Sequence, residues 1–219
     1  MSVLIGTNPT RTFEDARRWV EEGTTLLTGA IDGLDRSAFD GDSQLPGWTR
    51  KHLVGHVAAN ADALGNLISW AETGVEKRMY ASTEQRNADI EAAATRPAEE
   101  LRAWYLRGAA ELDAAMDRLT AEQWEHEVIT AQLVTRKASD VPWMRAREVF
   151  VHAVDLGVGI TFADLPDDFL LALADEIRTK RGLSDDDLLG VEGTLPEVAA
   201  WLAGRPHGLV DAPTLGPWL

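Results

Sequence analysis

The stretch "REVFVHAVDLG", residues 147–157, has the valine, phenylalanine, alanine and leucine content of a buried helix, yet it carries Glu148 and His152 four residues apart. Positions i and i+4 share a helical face, so both side chains can reach one object. An acid ahead of a base on a solvated face produces the same pattern. A further ligand on another helix separates the two readings, so the fold turns on what faces this segment.

Helical spacing recurs in three other long segments. After Thr12, which suits an N-cap, Ala16, Trp19, Val20, Gly23, Leu27 and Leu34 repeat on one face. Residues 34–48 are turn-rich, and Pro46 and Gly47 break the pattern before Thr49 caps a second helix over residues 49–73, striped by Leu53, Val57, Leu64, Leu67 and Ile68. A shorter helix starts at Ser82, with Gln85 completing a capping box, and Pro97 opens another whose face holds Leu101, Trp104, Tyr105, Leu112 and Met116. The fourth long helix follows Pro142. Residues 127–140, "EVITAQLVTRKASD", lean toward β structure and read as a long excursion with a short hairpin, of the kind that shapes a site.

The expected fold is mainly α, a four-helix bundle over residues 1–160 followed by a small α/β domain over residues 161–219. In the latter, a helix containing Phe169, Leu170, Leu173 and Ile177 precedes a short strand, a helix from residue 195 and an exposed loop.

Charge and composition narrow the function. Of 219 residues, 21 are Lys or Arg and 36 are Asp or Glu, and the resulting net charge of -15 repels phosphate backbones and anionic membranes. No apolar run approaches the roughly 20 residues of a membrane span. The N-terminal "MSVLIGTNPTRTFEDARRW" lacks the basic-then-apolar order of a signal peptide. The expectation is a cytoplasmic protein, a monomer, with neither nucleic-acid nor membrane partners. There is no cysteine, which removes disulfides, thiolate metal sites and a protein thiol nucleophile. Any sulfur chemistry here must use a borrowed thiol.

Five histidines stand at positions 52, 56, 126, 152 and 207. His56 falls in the apolar stripe with Leu53, Val57, Asn60 and Leu64, while His52 lies one turn earlier and nearer its edge; spacing does not rank the two. One of them with Glu148 and His152 would form a His-His-Glu set that suits zinc with a position left open. A hydrogen-bonded core histidine is the alternative. His126 and His207 lie in polar segments and take no role.

The segments "GWTRKHLVGHVAANADALGNLISWAETG", "MYASTEQRN", "HEVITAQ", "PWMRAREVFVHAVDLG" and "WLAGR" occur in an order that resembles the mycothiol-dependent maleylpyruvate isomerases, members of the DinB-like metalloenzyme superfamily. The resemblance implies an antiparallel four-helix bundle with a zinc site and a C-terminal domain of sterol-carrier-like type. It assigns the metal to His56, Glu148 and His152 and leaves out His52. It also implies the reaction, conversion of maleylpyruvate from gentisate degradation into fumarylpyruvate, with mycothiol supplying the thiol.

A substrate with two carboxylates needs local cations in so acidic a protein, and planar Arg forks bind carboxylates well. Arg86 and Arg205 match arginines that the family places in its active site, as catalytic and mycothiol-binding groups; the alternatives are a helix-surface arginine at 86 and a complement to its helix C-terminus at 205. Asn60, one turn from His56, either binds substrate or mycothiol or satisfies core backbone. Arg145 and Arg147 read as surface salt-bridge residues, and Asp155 as either a partner of the metal ligands or an exposed acid. "GLSDDDLLG", residues 182–190, is shorter than the strand-bearing stretch expected there, so the small domain's sheet is expected to be reduced. A mycothiol S-transferase acting on another electrophile, and a noncatalytic metal-stabilised helical domain, are the competing functions.

Overall fold

The computed structural model describes residues 11–218 except residues 185 and 189. The first ten residues of the segment read as lacking a signal peptide therefore lie outside the described residues. The chain divides into two compact units, Phe13–Val158 and a smaller one formed from Gly159 onward with the N-terminal end.

The larger unit is a bundle of α1 (Phe13–Asp32), α2 (Arg50–Thr73), α4 (Ala98–Arg118) and α6 (Val141–Asp155), with α3 (Thr83–Ala94) and the one-turn α5 (Ala121–Trp124) between them. Its core follows the apolar stripes, including Trp19, Leu27, Leu53, Leu64, Leu67, Tyr105, Leu112 and Phe150. Side-chain pairings fix the helix directions. Arg17 near the start of α1 reaches Asp113 and Asp117 near the end of α4, so those helices are antiparallel. Arg118 reaches Glu72 and Trp104 reaches Asp62, so α4 runs parallel to α2. Asn60 and His56 of α2 meet Arg145 and Glu148 of α6 in antiparallel register. The bundle thus has two helices up and two down, in the chain order up, down, down, up.

Because α2 and α4 are parallel, the chain must return along the bundle between them. α3 makes that return against α2: His52 faces Glu91, and His56 faces Arg86. Ser82 caps α3 by accepting from the Gln85 N–H, while the Gln85 side chain turns to Asp89, so only half of the expected capping box forms. The return path carries Arg86 to the second turn of α2, beside His56.

Gly55 permits this docking, since a Cβ there would stand 2.5 Å from the Ala93 Cβ. Neither Cβ can rotate away. Gly55→Ala is therefore expected to cost about 1–3 kcal/mol of unfolding free energy in urea titrations, the usual penalty for overpacking. An unchanged midpoint would show that α3 does not rest there.

The excursion after α5 forms the expected hairpin, β1 (Glu127–Ile129) paired antiparallel with β2 (Thr135–Lys137). Leu133 at its tip has φ 59°. Among the described residues no helix is long and apolar enough to cross a membrane.

The smaller unit contains α7 (Asp167–Arg181) and α8 (Leu195–Leu202). Its described residues include no strand, which corrects the expected α/β character. A local bond stands where the one short strand was expected, near residue 191. The Val191 N–H turns back to the Leu188 carbonyl, and in the preceding acidic turn the Asp187 carboxylate accepts from both the backbone N–H and the hydroxyl of Ser184. Residues 185 and 189 of this stretch lie outside the described residues. The tail is held to α8 by side chains, with Trp201 Nε1 donating to the Pro213 carbonyl.

Candidate metal centre

Thr49 starts α2, and His52 in its first turn bends back so that its Nδ1 lies 2.7 Å from Thr49 Oγ1 and accepts the Thr49 N–H. One turn further on, His56 is buried and faces α6. Spacing leaves the two histidines unranked; in the structure His52 is held at the cap, and His56 is the one grouped with Glu148 and His152.

His56 Nε2 lies 3.1 Å from Glu148 Oε2, and His152 Nε2 lies 3.3 Å from the same oxygen. One ligand atom from each of the three residues falls within a 4.8 Å cluster. Two donors about 2.0–2.1 Å from a tetrahedral ion stand about 3.3 Å apart. The spacing and the donor set, two imidazoles and one carboxylate, therefore fit a divalent cation. The imidazoles meet edge to face, with centroids 5.1 Å apart, and Trp48 presents an edge contact to His56.

Two further residues orient the imidazoles. Fully buried Asp155 places Oδ2 2.9 Å from His152 Nδ1, which aims Nε2 at the centre. Of the two expectations for Asp155, the structure selects partner of a ligand. Arg86 Nη2 lies 3.4 Å from His56 Nδ1. An arginine can only donate, so in the metal-free protein His56 Nδ1 accepts and the neutral ring carries its proton on Nε2, toward Glu148; a metal on Nε2 would shift that proton to Nδ1 and end the Arg86 contact.

Without a metal, protons balance the charge. Burial pushes Glu148 upward, but hydrogen bonds and charge from His152 and His56 outweigh it and hold the carboxyl well below the ordinary range. Burial lowers His56 despite Glu148. Burial also opposes charge on His152, yet Asp155 and Glu148 raise it from 6.5 to about 9. The raised His152 value stabilises the fold fully below pH 6.5 and ceases to do so as the pH rises through about 9, whereas the lowered values of Glu148 and His56 withdraw stability as the pH falls. Metal-free protein is expected to lose melting temperature between pH 6.5 and 9, as read by calorimetry. Metal-loaded protein should lack this alkaline decline, because its His152 is neutral throughout.

The other expected site residues divide between the units. Asn60 is buried one turn from His56, and its Oδ1 accepts from Arg145 Nη1 at 2.9 Å. Arg145 itself corrects the expectation of a surface salt bridge: it is 1% exposed and also donates to the Val57 carbonyl. Arg147 is half-buried against the Trp143 ring. Arg205 lies in the smaller unit, buried, and its Nη1 donates to the Ala203 and Trp218 carbonyls. His126 and His207 are exposed, as expected, and bond backbone groups at Ala71 and Leu209.

Tyr80 was missed. The Arg86 guanidinium carbon lies 5.8 Å from its ring centre, and burial followed by the charge of Glu148 raises its hydroxyl pKa. Its place six residues before Arg86 in "MYASTEQRN" was the available signal.

A family model described as the mycothiol maleylpyruvate isomerase N-terminal domain matches residues 9–157, which include His56, Glu148 and His152. The chain belongs to this family. A crystal structure of the mycothiol-dependent maleylpyruvate isomerase is 36% identical with a TM-score of 0.88, over 95% of this chain and 98% of its own. A second crystal structure, of a histidine-to-alanine mutant of such an enzyme, is 35% identical with a TM-score of 0.88 over the same shares. No curated protein matches the chain.

Proposed function

We propose that this protein is a mycothiol-dependent maleylpyruvate isomerase with zinc held by His56, Glu148 and His152. The observation that carries the reading is this donor set, buried at the meeting of α2 and α6 in a chain 36% identical to such an isomerase over nearly its whole length. When bound, the zinc would supply positive charge that keeps a coordinated thiol deprotonated and polarises a substrate oxygen.

The chain's own residues hold and orient the reactants. Arg86, half-buried beside His56, offers a planar fork to a carboxylate, and Asn60 offers an amide on the same side of α2. Arg205 is retained as an anion-binding residue on the family resemblance. The thiolate of mycothiol adds to one carbon of the cis double bond, and the displaced electron pair passes to the conjugated carbonyl oxygen. The former double bond is then single and rotates. Return of the electron pair expels the thiolate and restores the alkene as trans, so the thiol is regenerated and no oxidant is consumed. A chain without cysteine cannot perform the addition with its own sulfur.

The decisive experiment is turnover of maleylpyruvate by zinc-loaded protein with and without mycothiol. Fumarylpyruvate should form only when the thiol is present, and glutathione should substitute poorly. Turnover by dialysed protein without thiol would sink the mechanism. Conjugation of other electrophiles with no isomerisation would instead mark an S-transferase, and zinc binding with no thiol-dependent reaction a noncatalytic domain.

A further inference from the structure

Arg145 is a buried cation that no step above uses. It stands one turn before Glu148 on α6, and one nitrogen, Nη1, donates both to the Val57 carbonyl at 2.8 Å and to Asn60 Oδ1 at 2.9 Å. The other, Nη2, is buried with no hydrogen-bond partner. Burial disfavours its charge, against which Tyr105, Glu148, Asp62 and Tyr80 act. A methionine of similar length would fill the volume without desolvating a cation. Stability alone does not account for a guanidinium at this place.

Its two bonds reach α2 on either side of functional importance. Val57 directly follows His56, so the bond to its carbonyl ties α6 to α2 beside the ligand. The bond to Asn60 fixes an orientation. Arginine has no acceptor, so the amide must present Oδ1 to Arg145 and turn its NH2 group the other way. That NH2 group makes no hydrogen bond to the described residues. Asn60 lies one turn from His56 on the same helical face.

We propose that Arg145 is a positioning residue of the centre: by occupying Asn60 Oδ1 it turns the Asn60 NH2 outward as a donor to the anionic substrate, and by binding the Val57 carbonyl it sets α6 at the height where Glu148 meets His56. The first half rests on the isomerase reading, while the second does not.

The test uses the full chain with Arg145→Lys, Asn60→Ala and the double variant. Lysine keeps the charge but loses the planar fork, so simple charge compensation of Glu148 would survive the change while positioning would not. Arg145→Lys is expected to raise KM for maleylpyruvate about 10-fold, leave kcat within about threefold, and weaken zinc binding against a chromophoric chelator about 10-fold. Added to Asn60→Ala, it should raise KM less than about twofold further, since both changes remove one interaction. A KM for Arg145→Lys within about twofold of wild type, or an undiminished increase in the Asn60→Ala background, overturns the proposal.

Should Arg145→Lys fail to fold, Asn60→Asp keeps an acceptor for Arg145 but removes the donor. It should fold and bind zinc but lose substrate affinity, and unchanged KM would overturn the proposal. If wild-type protein does not turn over maleylpyruvate, the isomerase reading fails by itself. Zinc affinity then decides about Arg145, and an Arg145→Lys value equal to wild type refutes its positioning role.

Discussion

His152→Ala is expected to strip the protein of metal. Wild-type protein should carry about one divalent ion per chain after gel filtration, and the variant almost none, as measured by elemental analysis. With His152 gone the centre keeps one imidazole and one carboxylate. Structural zinc sites bind with about 10–16 kcal/mol shared among their ligands, so one ligand corresponds to roughly two to three orders of magnitude in affinity. His52→Ala is the matched control. It removes a side chain that accepts the Thr49 N–H at the start of α2, which should cost about 0.5–2 kcal/mol of stability and leave the metal in place. Retention of metal by His152→Ala, with loss from His52→Ala, would reverse the ligand assignment.

Asp155→Asn should produce the next largest effect, a fall in metal affinity of about 10- to 100-fold. The carboxylate at 2.9 Å from His152 Nδ1 can only accept, so with a metal on Nε2 it holds the ring's one proton on Nδ1. An asparagine can turn either its oxygen or its NH2 toward the ring. Whenever it donates, His152 must carry its proton on Nε2 and cannot ligate. Competition with a chelator of known affinity measures the change, and an affinity within about twofold of wild type would show that His152 needs no such orientation.

Much of this centre was legible because helical spacing reports which side chains share a face. The stripe of Leu53, His56, Val57, Asn60 and Leu64 is the face that meets α6, and Glu148 and His152 are the i and i+4 pair that meets it. Choosing between His52 and His56 needed the cap, since only the bend of His52 back onto Thr49 removes it from the centre. Arg145 was misread although its spacing was informative. Positions 145, 148, 149 and 152 follow one face of α6, but the usual exposure of arginine outweighed that pattern. The missing strand near residue 191 has a different cause. Glycine and valine content allows an extended segment, but pairing requires a partner elsewhere in the chain, and bonds within the Ser184–Asp187 and Leu188–Val191 turns satisfy the backbone first.

His56 and Glu148 meet across 92 residues of chain, with the return helix α3, all of α4 and the hairpin lying between them. Such a loop closes at an entropic cost that grows only slowly with length, but the contacts that repay it belong to the finished bundle. A chain emerging from the ribosome presents a lone imidazole until α6 has been made, so there is no partial centre for a scavenged ion to capture and stabilise in a wrong register. Under the proposed assignment, loading would then come at the end of folding. Under that assignment the same connectivity would make the ion a rivet between the second helix of the bundle and the last: fraying at either terminus would leave it seated, and its escape would track the separation of those two helices.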